Sequence, residues 1–331
     1  MSEPGAGRRP APAGVVRTLR PTPAARRRRV TPATPPIDLV ATVTGATAGE
    51  AITLAVRSTV ERLVVQQALV RLASGSDAVH RARVATRRLR SDLRTYSVLF
   101  DPEPIANLRV ELGWLADLLG QARDADILLA RLQPSLGSDE ATAEQREILE
   151  RLNRQHGKAQ MELMTAMAEP RYSALLDSLA RLTAAPPLSE VAKAPADEFM
   201  AMIVSGTWHK LRSAVRKLDQ HPDDAKMHAV RIEAKRCRYA AEAAAPAMGV
   251  AATRFAEAVA GLQQALGDYN DAVVSAGWLT QASGHMDAST AFLAGALHEA
   301  QDGLARKARR RWPAAWRRLD RKKIYGWLNV A

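Results

Sequence analysis

Cysteine, aromatic residues, acids and long apolar runs are all scarce in this chain. One of its 331 residues is a cysteine, Cys237. That excludes an internal disulfide framework and a cysteine-based zinc site, and it fits a reducing compartment. Aromatics make up 5%, too few to supply the stacking platforms of a single-strand nucleic-acid binder. No apolar run nears the ~20 residues of a membrane span. The N-terminus lacks the apolar segment of a secretory signal. It is Arg-rich and acid-poor, as transit peptides are, but its prolines oppose the amphipathic helix that a transit peptide needs. A cytoplasmic protein without a membrane partner is therefore expected. There is no glycine-rich phosphate loop, nucleophile elbow or Ser/His/Asp arrangement, so no catalytic residue is assigned.

What is abundant points elsewhere. Hydrophobic residues make up 47%, so a sizeable core is available. With Ala and Leu plentiful, helices are favoured over sheets. Bases outnumber acids by 47 to 35, a net charge of +12, which suits an acidic partner such as nucleic acid or a phosphate polymer. Residues 1–49 hold eight Arg, two acids and many Pro and Ala. They read as a disordered tail.

From Glu50 onward the periodicity is helical. Breakers such as Asp101-Pro102, Glu169-Pro170, Ala185-Pro186-Pro187, Ala245-Pro246 and Ser283-Gly284 cut it into segments. The pattern predicts helices near 50–73, 77–99, 104–133, 139–168, 196–219, 224–245, 251–282 and 286–320. Ile105, Leu108, Leu112, Leu115 and Leu119 form one seam, and Phe255, Val259, Leu262 and Leu266 another. The fold class expected is all-α: two four-helix bundles, 50–185 and 195–320, followed by an extension at 321–331.

One basic word is written twice. His80, Arg83, Arg87, Arg88 and Arg90 recur as His228, Arg231, Lys235, Arg236 and Arg238. A second shared word follows each copy: Leu119-Gly120-Gln121-Ala122-Arg123-Asp124 matches Leu266-Gly267-Asp268-Tyr269-Asn270-Asp271. The two offsets differ by one residue, which predicts an internal duplication with pseudo-twofold symmetry. At ~100° per residue, His80, Arg83, Arg87 and Arg90 fall on one narrow stripe, as do His228, Arg231, Lys235 and Arg238. Arg94 extends the first stripe and Tyr239 the second. Ala82, Ala85, Leu89 and Leu93 face the other way and should pack inward, and Cys237 likewise lies opposite the basic face. Aligned like charges destabilise a free helix, and a bound polyanion would compensate them through forked Arg contacts and a Lys point charge. The bland alternative is a solvated face.

Arg88 and Arg236 lie well off the stripes. They are expected to pair with Asp124 and Asp271 as structural support. Arg212 and Arg216, and Arg306 and Arg310, are further binding candidates. Trp208, Trp312, Trp316 and Trp327 read as packing residues. Two His with several Asp could hold a divalent ion, yet no His lies four residues from another and arginines sit close to each. No metal or cofactor is therefore expected. His156, His209, His221, His285 and His298 lack repeat partners.

These words resemble those of the CHAD family, the conserved histidine α-helical domain, over about residues 50–320. The resemblance implies paired helical bundles and binding of inorganic polyphosphate in a basic channel between the halves. It places ligand contacts at His80, Arg83, Arg87, Arg90, His228, Arg231, Lys235 and Arg238. It implies a binding module rather than an enzyme, a stand-alone member without the triphosphatase domain some members carry, and an association with polyphosphate granules. A metal-dependent phosphohydrolase and a non-specific nucleic-acid binder remain the alternatives. Oligomeric state is not legible.

Overall fold

A computed structural model describes residues 45–72, 76–137, 140–219 and 222–328. Residues 1–44 of the expected tail, and His221, lie outside the described residues. The described chain is all-α, and its backbone forms only two isolated β-bridges, Thr47 with Pro195 and Phe100 with Leu188.

The helices begin where the sequence supplies caps. Helix α1 (Ala48–Arg71) opens on a capping box in which Thr47 Oγ1 accepts from Glu50 N at 3.2 Å and Glu50 Oε2 accepts from Thr47 N at 2.8 Å. Helix α2 (Ser76–Thr95) and helix α3 (Pro102–Leu136) follow, α3 with a proline in its first turn, where the missing N–H costs nothing. Helix α4 (Ala143–Ala168) repeats the capping box with Thr142 and Gln145. Helix α5 (Pro170–Ala184) is a departure from the expected eight. Glu169-Pro170 reads as a stop, but the proline occupies the first turn of a new helix that buries Tyr172, Leu175, Leu179 and Leu182. Helix α6 spans Ala196–Arg216.

Helix α7 (Asp224–Met248) starts with Asp223 accepting from Lys226 N at 2.7 Å. It runs through Pro246 and ends at Gly249, not at Ala245-Pro246 as the sequence suggests. One lost hydrogen bond in a last turn is tolerated, whereas the φ of +63° at Gly249 cannot be continued by a helix. Helix α8 spans Val250–Ser283. The expected final helix is two, α9 (Ala288–Arg309) and α10 (Trp312–Leu319), because Pro313 has no N–H to extend α9. Helix α11 (Lys322–Tyr325) and a closing 3-10 turn fold the supposed extension back onto the body. There Leu328 is buried, and Tyr325 lies 5.4 Å from the Trp208 ring.

Consecutive helices α1 to α4 pack side by side, and so do α6 to α9. Between the two sets α1 meets α6, α2 meets α7, α3 meets α8 and α4 meets α9, while α1 also lies on α7. The main apolar core draws on both sets, from Ile52, Leu89 and Leu112 to Val230 and Phe255. A smaller one joins the far ends of α3, α4, α8 and α9 around Leu132, Leu152 and Leu279. The four expected packing tryptophans all belong to the main core or its margin. Trp208 is fully buried and stacks 5.4 Å from Trp316.

Gly249 combines φ +63° with ψ −143°, backbone geometry that L side chains rarely adopt. Gly249→Ala should therefore lower folding stability by about 1–3 kcal/mol. Urea or thermal unfolding checks this, and an unchanged midpoint would count against the α7–α8 junction described here.

Candidate anion-binding groove

The inward face of α2 is as the sequence requires, with Ala82, Ala85, Leu89 and Leu93 all buried. That anchorage turns the basic stripe toward α3 and α7. Arg83 reaches across α3 and pairs with Asp124 Oδ1 at 3.1 Å. A methyl group at Gly120 would sit 3.9 Å from Arg83 Nη2, and one at Gly113 would sit 3.7 Å from Arg90 Nη2. The two guanidinium groups thus lie close over the bare face of α3. Arg83, Arg87 and Arg90, with Asp117, Gln121 and Asp124, line an open groove of about 460 Å³.

The second stripe faces the first. Helices α2 and α7 are packed together, and the positive charge acting most strongly on Lys235 is Arg87, ahead of its own helix neighbour Arg231 and then Arg83. Burial first, and this crowding second, push the Lys235 ammonium down to about 6, against the pull of Asp271. Burial, then Arg87, lowers the Arg231 guanidinium in the same way. Asp124 and Asp271 both act on Arg83 and Arg231, so the two acids of the shared word lie among the stripes.

The histidines that head the two words are not equivalent. Burial, then the Arg123 and Arg83 charges, lowers His80 to about 4. At neutral pH it is uncharged. His228 is exposed.

The expected pairing of Arg88 and Arg236 with Asp124 and Asp271 is not found. Arg88 is largely buried, and its Nη1 forms an ion pair with Glu242 Oε2 at 3.0 Å, with Asp92 Oδ2 3.9 Å from its Nε. Glu242, itself only 5% exposed, also accepts a hydrogen bond from Arg238 Nε at 2.7 Å. A single carboxylate on α7 therefore clasps α2, and Arg238 is drawn out of its stripe into this bridge. Arg236 is more exposed and pairs with Glu233, three residues back on its own helix. The reason is angular: residues 80° off the stripe point at the α2–α7 seam or along α7, not toward α3 and α8.

Other candidates are elsewhere. Tyr239 is 5% exposed and packed in the interior. Arg212 pairs with Asp320 at 3.4 Å and covers the Trp208 and Tyr325 rings, so it belongs to the C-terminal aromatic cluster. Arg306 pairs with Glu299 at 2.6 Å. Arg94, Arg216 and Arg310 are exposed. Among the unpaired histidines of the sequence, His156 bonds Asp126 Oδ1 at 2.9 Å and His298 bonds Thr280 and the Ala276 carbonyl, while His209 and His285 are exposed. Cys237 is fully buried, and burial pushes its thiol up to about 12. Among the described residues no three His, Cys, Asp or Glu side chains converge as metal ligands would, and no helix is long and apolar enough to cross a membrane.

The sequence reading passed over Arg123 and Asp92. Arg123 stands in the quoted Leu-Gly word but has no counterpart in the second copy, where Asn270 replaces it. Arg123 lies near His80 and is held by Asp126 at 3.7 Å. Asp92 is fully buried with neither carboxyl oxygen hydrogen-bonded, and burial raises it to about 7. No spacing rule marks it.

The molecule is all-helical and carries a basic groove between α2 and α3, with a second basic row on the neighbouring α7. The CHAD domain model matches residues 54–280, most of the chain, and the chain belongs to this family. Uncharacterized protein Rv2226 of Mycobacterium tuberculosis (strain ATCC 25618 / H37Rv) is 33% identical over 284 residues, 81% of this chain and 52% of that protein. Uncharacterized protein MT2285 of strain CDC 1551 / Oshkosh matches to the same extent. The chain thus spans about half the length of these curated relatives. Among solved structures, PptA from Streptomyces chartreusis has the same fold, with a TM-score of 0.70 at 23% identity over 82% of this chain and 100% of that one. The CHAD domain from the plant Ricinus communis gives 0.62 at 25% identity, over 86% and 93%.

The two off-stripe arginines should now behave differently. Arg88→Ala leaves Glu242 buried without its partner on α2 and should cost about 3–5 kcal/mol. Arg236→Ala removes a partly exposed pair within one helix and should cost about 0.5 kcal/mol or less. Chemical denaturation of both variants checks this, and equal losses would contradict the assignment of the interhelical bridge to Arg88.

Proposed function

We infer that this chain binds inorganic polyphosphate without cleaving it, laying the polymer along the groove where the α2 and α7 stripes meet. The observation that carries the reading is the closeness of Arg87 to Lys235 and Arg231. Like charges brought together from two helices weaken the apo fold and are compensated by a polyanion that bridges them. Polyphosphate bears a negative charge at each internal phosphate and needs no sequence readout, which fits a groove lined by guanidinium groups with no aromatic platform. Arg83, Arg87, Arg90, Arg231 and Lys235 would grip phosphate oxygens, with Arg123 at one end and neutral His80 as a hydrogen-bond donor. Arg238 would steady α7 through Glu242 rather than touch the chain.

The like-with-like packing of α1 to α4 on α6 to α9 supports reading the two stripes as half-sites from one duplicated unit, divided near 185–195. Localisation at polyphosphate granules in the cytoplasm follows from the ligand. The hydrolase alternative would need a metal centre, and the three arginines beside Asp117 and Asp124 in the groove disfavour a cation there.

Three cations on α2 and two on α7, with Arg123, make about six contacts, so log affinity should fall against log salt with a slope of roughly −4 to −5. A slope near zero would remove the electrostatic reading. Reversing one stripe (Arg83→Glu with Arg87→Glu) should cut affinity for long polyphosphate severely, and Arg231→Glu with Lys235→Glu should do the same. If either stripe proves dispensable, the two are independent patches and not one groove.

Protonation supplies a separate check. The Lys235 amine sits at about 6 in the empty groove, so it is mostly neutral at pH 8. A bound polyanion favours the charged form and raises this value. Binding at pH 8 should therefore take up a proton, and affinity should rise as pH falls toward 6. Calorimetry at pH 8 in two buffers of different ionisation enthalpy measures the uptake. Lys235→Met should abolish it, and uptake that persists in that variant would exclude Lys235 as the group responsible.

A further inference from the structure

A second basic recess lies outside the stripes. Its volume is about 300 Å³, and Arg131 of α3, Asp268 of α8, Gln301 and Lys307 of α9, and Arg311 just before α10 line it. A cavity of this size is at the small end of ligand sites.

Arg131 is held in a particular way. Its Nε and Nη2 both donate to Gln301 Oε1, at 3.1 and 3.0 Å, and Gln301 is 6% exposed. A neutral amide thus fixes the guanidinium plane without cancelling its charge. Two of five donors are used, and the rest of the fork remains for an anion. Lys307 stands in the last turn of α9 with Arg306 and Arg309, where cations offset the helix dipole. Arg306 and Arg309 are bonded to Glu299 and to the Pro222 carbonyl. Arg311 instead stands at the N-cap of α10, where a positive charge opposes the helix dipole. Its ion pair with Asp268 is long, 3.7 Å. Among the described residues no carboxylate lies within salt-bridge distance of Lys307. Three cations thus line a concave site with one carboxylate, Asp268, while Arg131 also acts on Asp271 from the side of the recess.

We propose that this recess is a second anion site, gripping a run of two or three phosphate groups through Arg131, Lys307 and Arg311. It is built without any residue of the stripes. Arg131 lies seven residues beyond Asp124 on α3, about 10 Å along the helix. The run could thus be a free oligophosphate or part of a chain seated in the groove.

Inorganic tripolyphosphate titrated into the full chain carrying Arg83→Glu and Arg87→Glu tests it. One site per chain should survive there. Adding Lys307→Glu and Arg311→Glu, both surface changes, should weaken that site about tenfold or more, the worth of lost charged hydrogen bonds. Gln301→Glu, which would neutralise Arg131, should weaken it comparably while Lys307 and Arg311 stay in place. The proposal is overturned if the stripe-reversed chain binds no tripolyphosphate, or if its binding withstands both sets of changes. Long polyphosphate titrated into the chain with intact stripes assigns the source. An affinity lowered by Lys307→Glu with Arg311→Glu upholds the site as part of the polymer's path, and an unchanged one upholds it as a site for free oligophosphate. Failure of long polyphosphate to bind the unaltered protein would instead sink the groove reading, with tripolyphosphate still reporting on the recess.

Discussion

Helices α2 and α7 carry two rows of cations and yet lie side by side. Their mutual repulsion has to be overcome by something behind the rows, and the buried Arg88–Glu242–Arg238 bridge with the surrounding core supplies it. Breaking such a bridge by removing one partner is costly because the remaining charge has no access to water. Tyr96 adds a hydrogen bond of 2.8 Å to the Ala240 carbonyl on the same seam. The clasp holds α2 against α7, and α2 also carries the arginines of the groove it forms with α3.

Burial then sorts the basic residues by kind. Arginine keeps its charge in a desolvated site, because its ordinary pKa is so high that a large reduction still leaves it protonated. Lysine and histidine do not. Lys235 drops to about 6 and His80 to about 4. Of the six Arg and Lys residues on the two stripes, Lys235 is therefore mostly neutral above about pH 6.

The repeat is imperfect where it matters chemically. Arg90 stays exposed over Gly113, while its counterpart Arg238 turns inward to Glu242. Arg123 lies near His80, and Asn270 stands at its counterpart position in the second word. The two copies of one word thus place their charges differently.

Helical class, the inward face of α2 and the stripes themselves were legible because a period of 3.6 and strong charge are local properties of a sequence. Helix starts were legible only to within a few residues: the expected starts at 50, 139 and 286 stand against capped starts at Ala48, Ala143 and Ala288. Prolines misled: Pro170 begins a helix, and Pro246 is carried inside one, because a proline's effect depends on which turn it occupies. What only the tertiary structure decided is which charges meet. Arg88 with Glu242, Arg83 with Asp124, and Arg87 near Lys235 are separated by 41 to 154 residues, and an ion pair depends on distance and burial, neither of which is written in spacing along the chain.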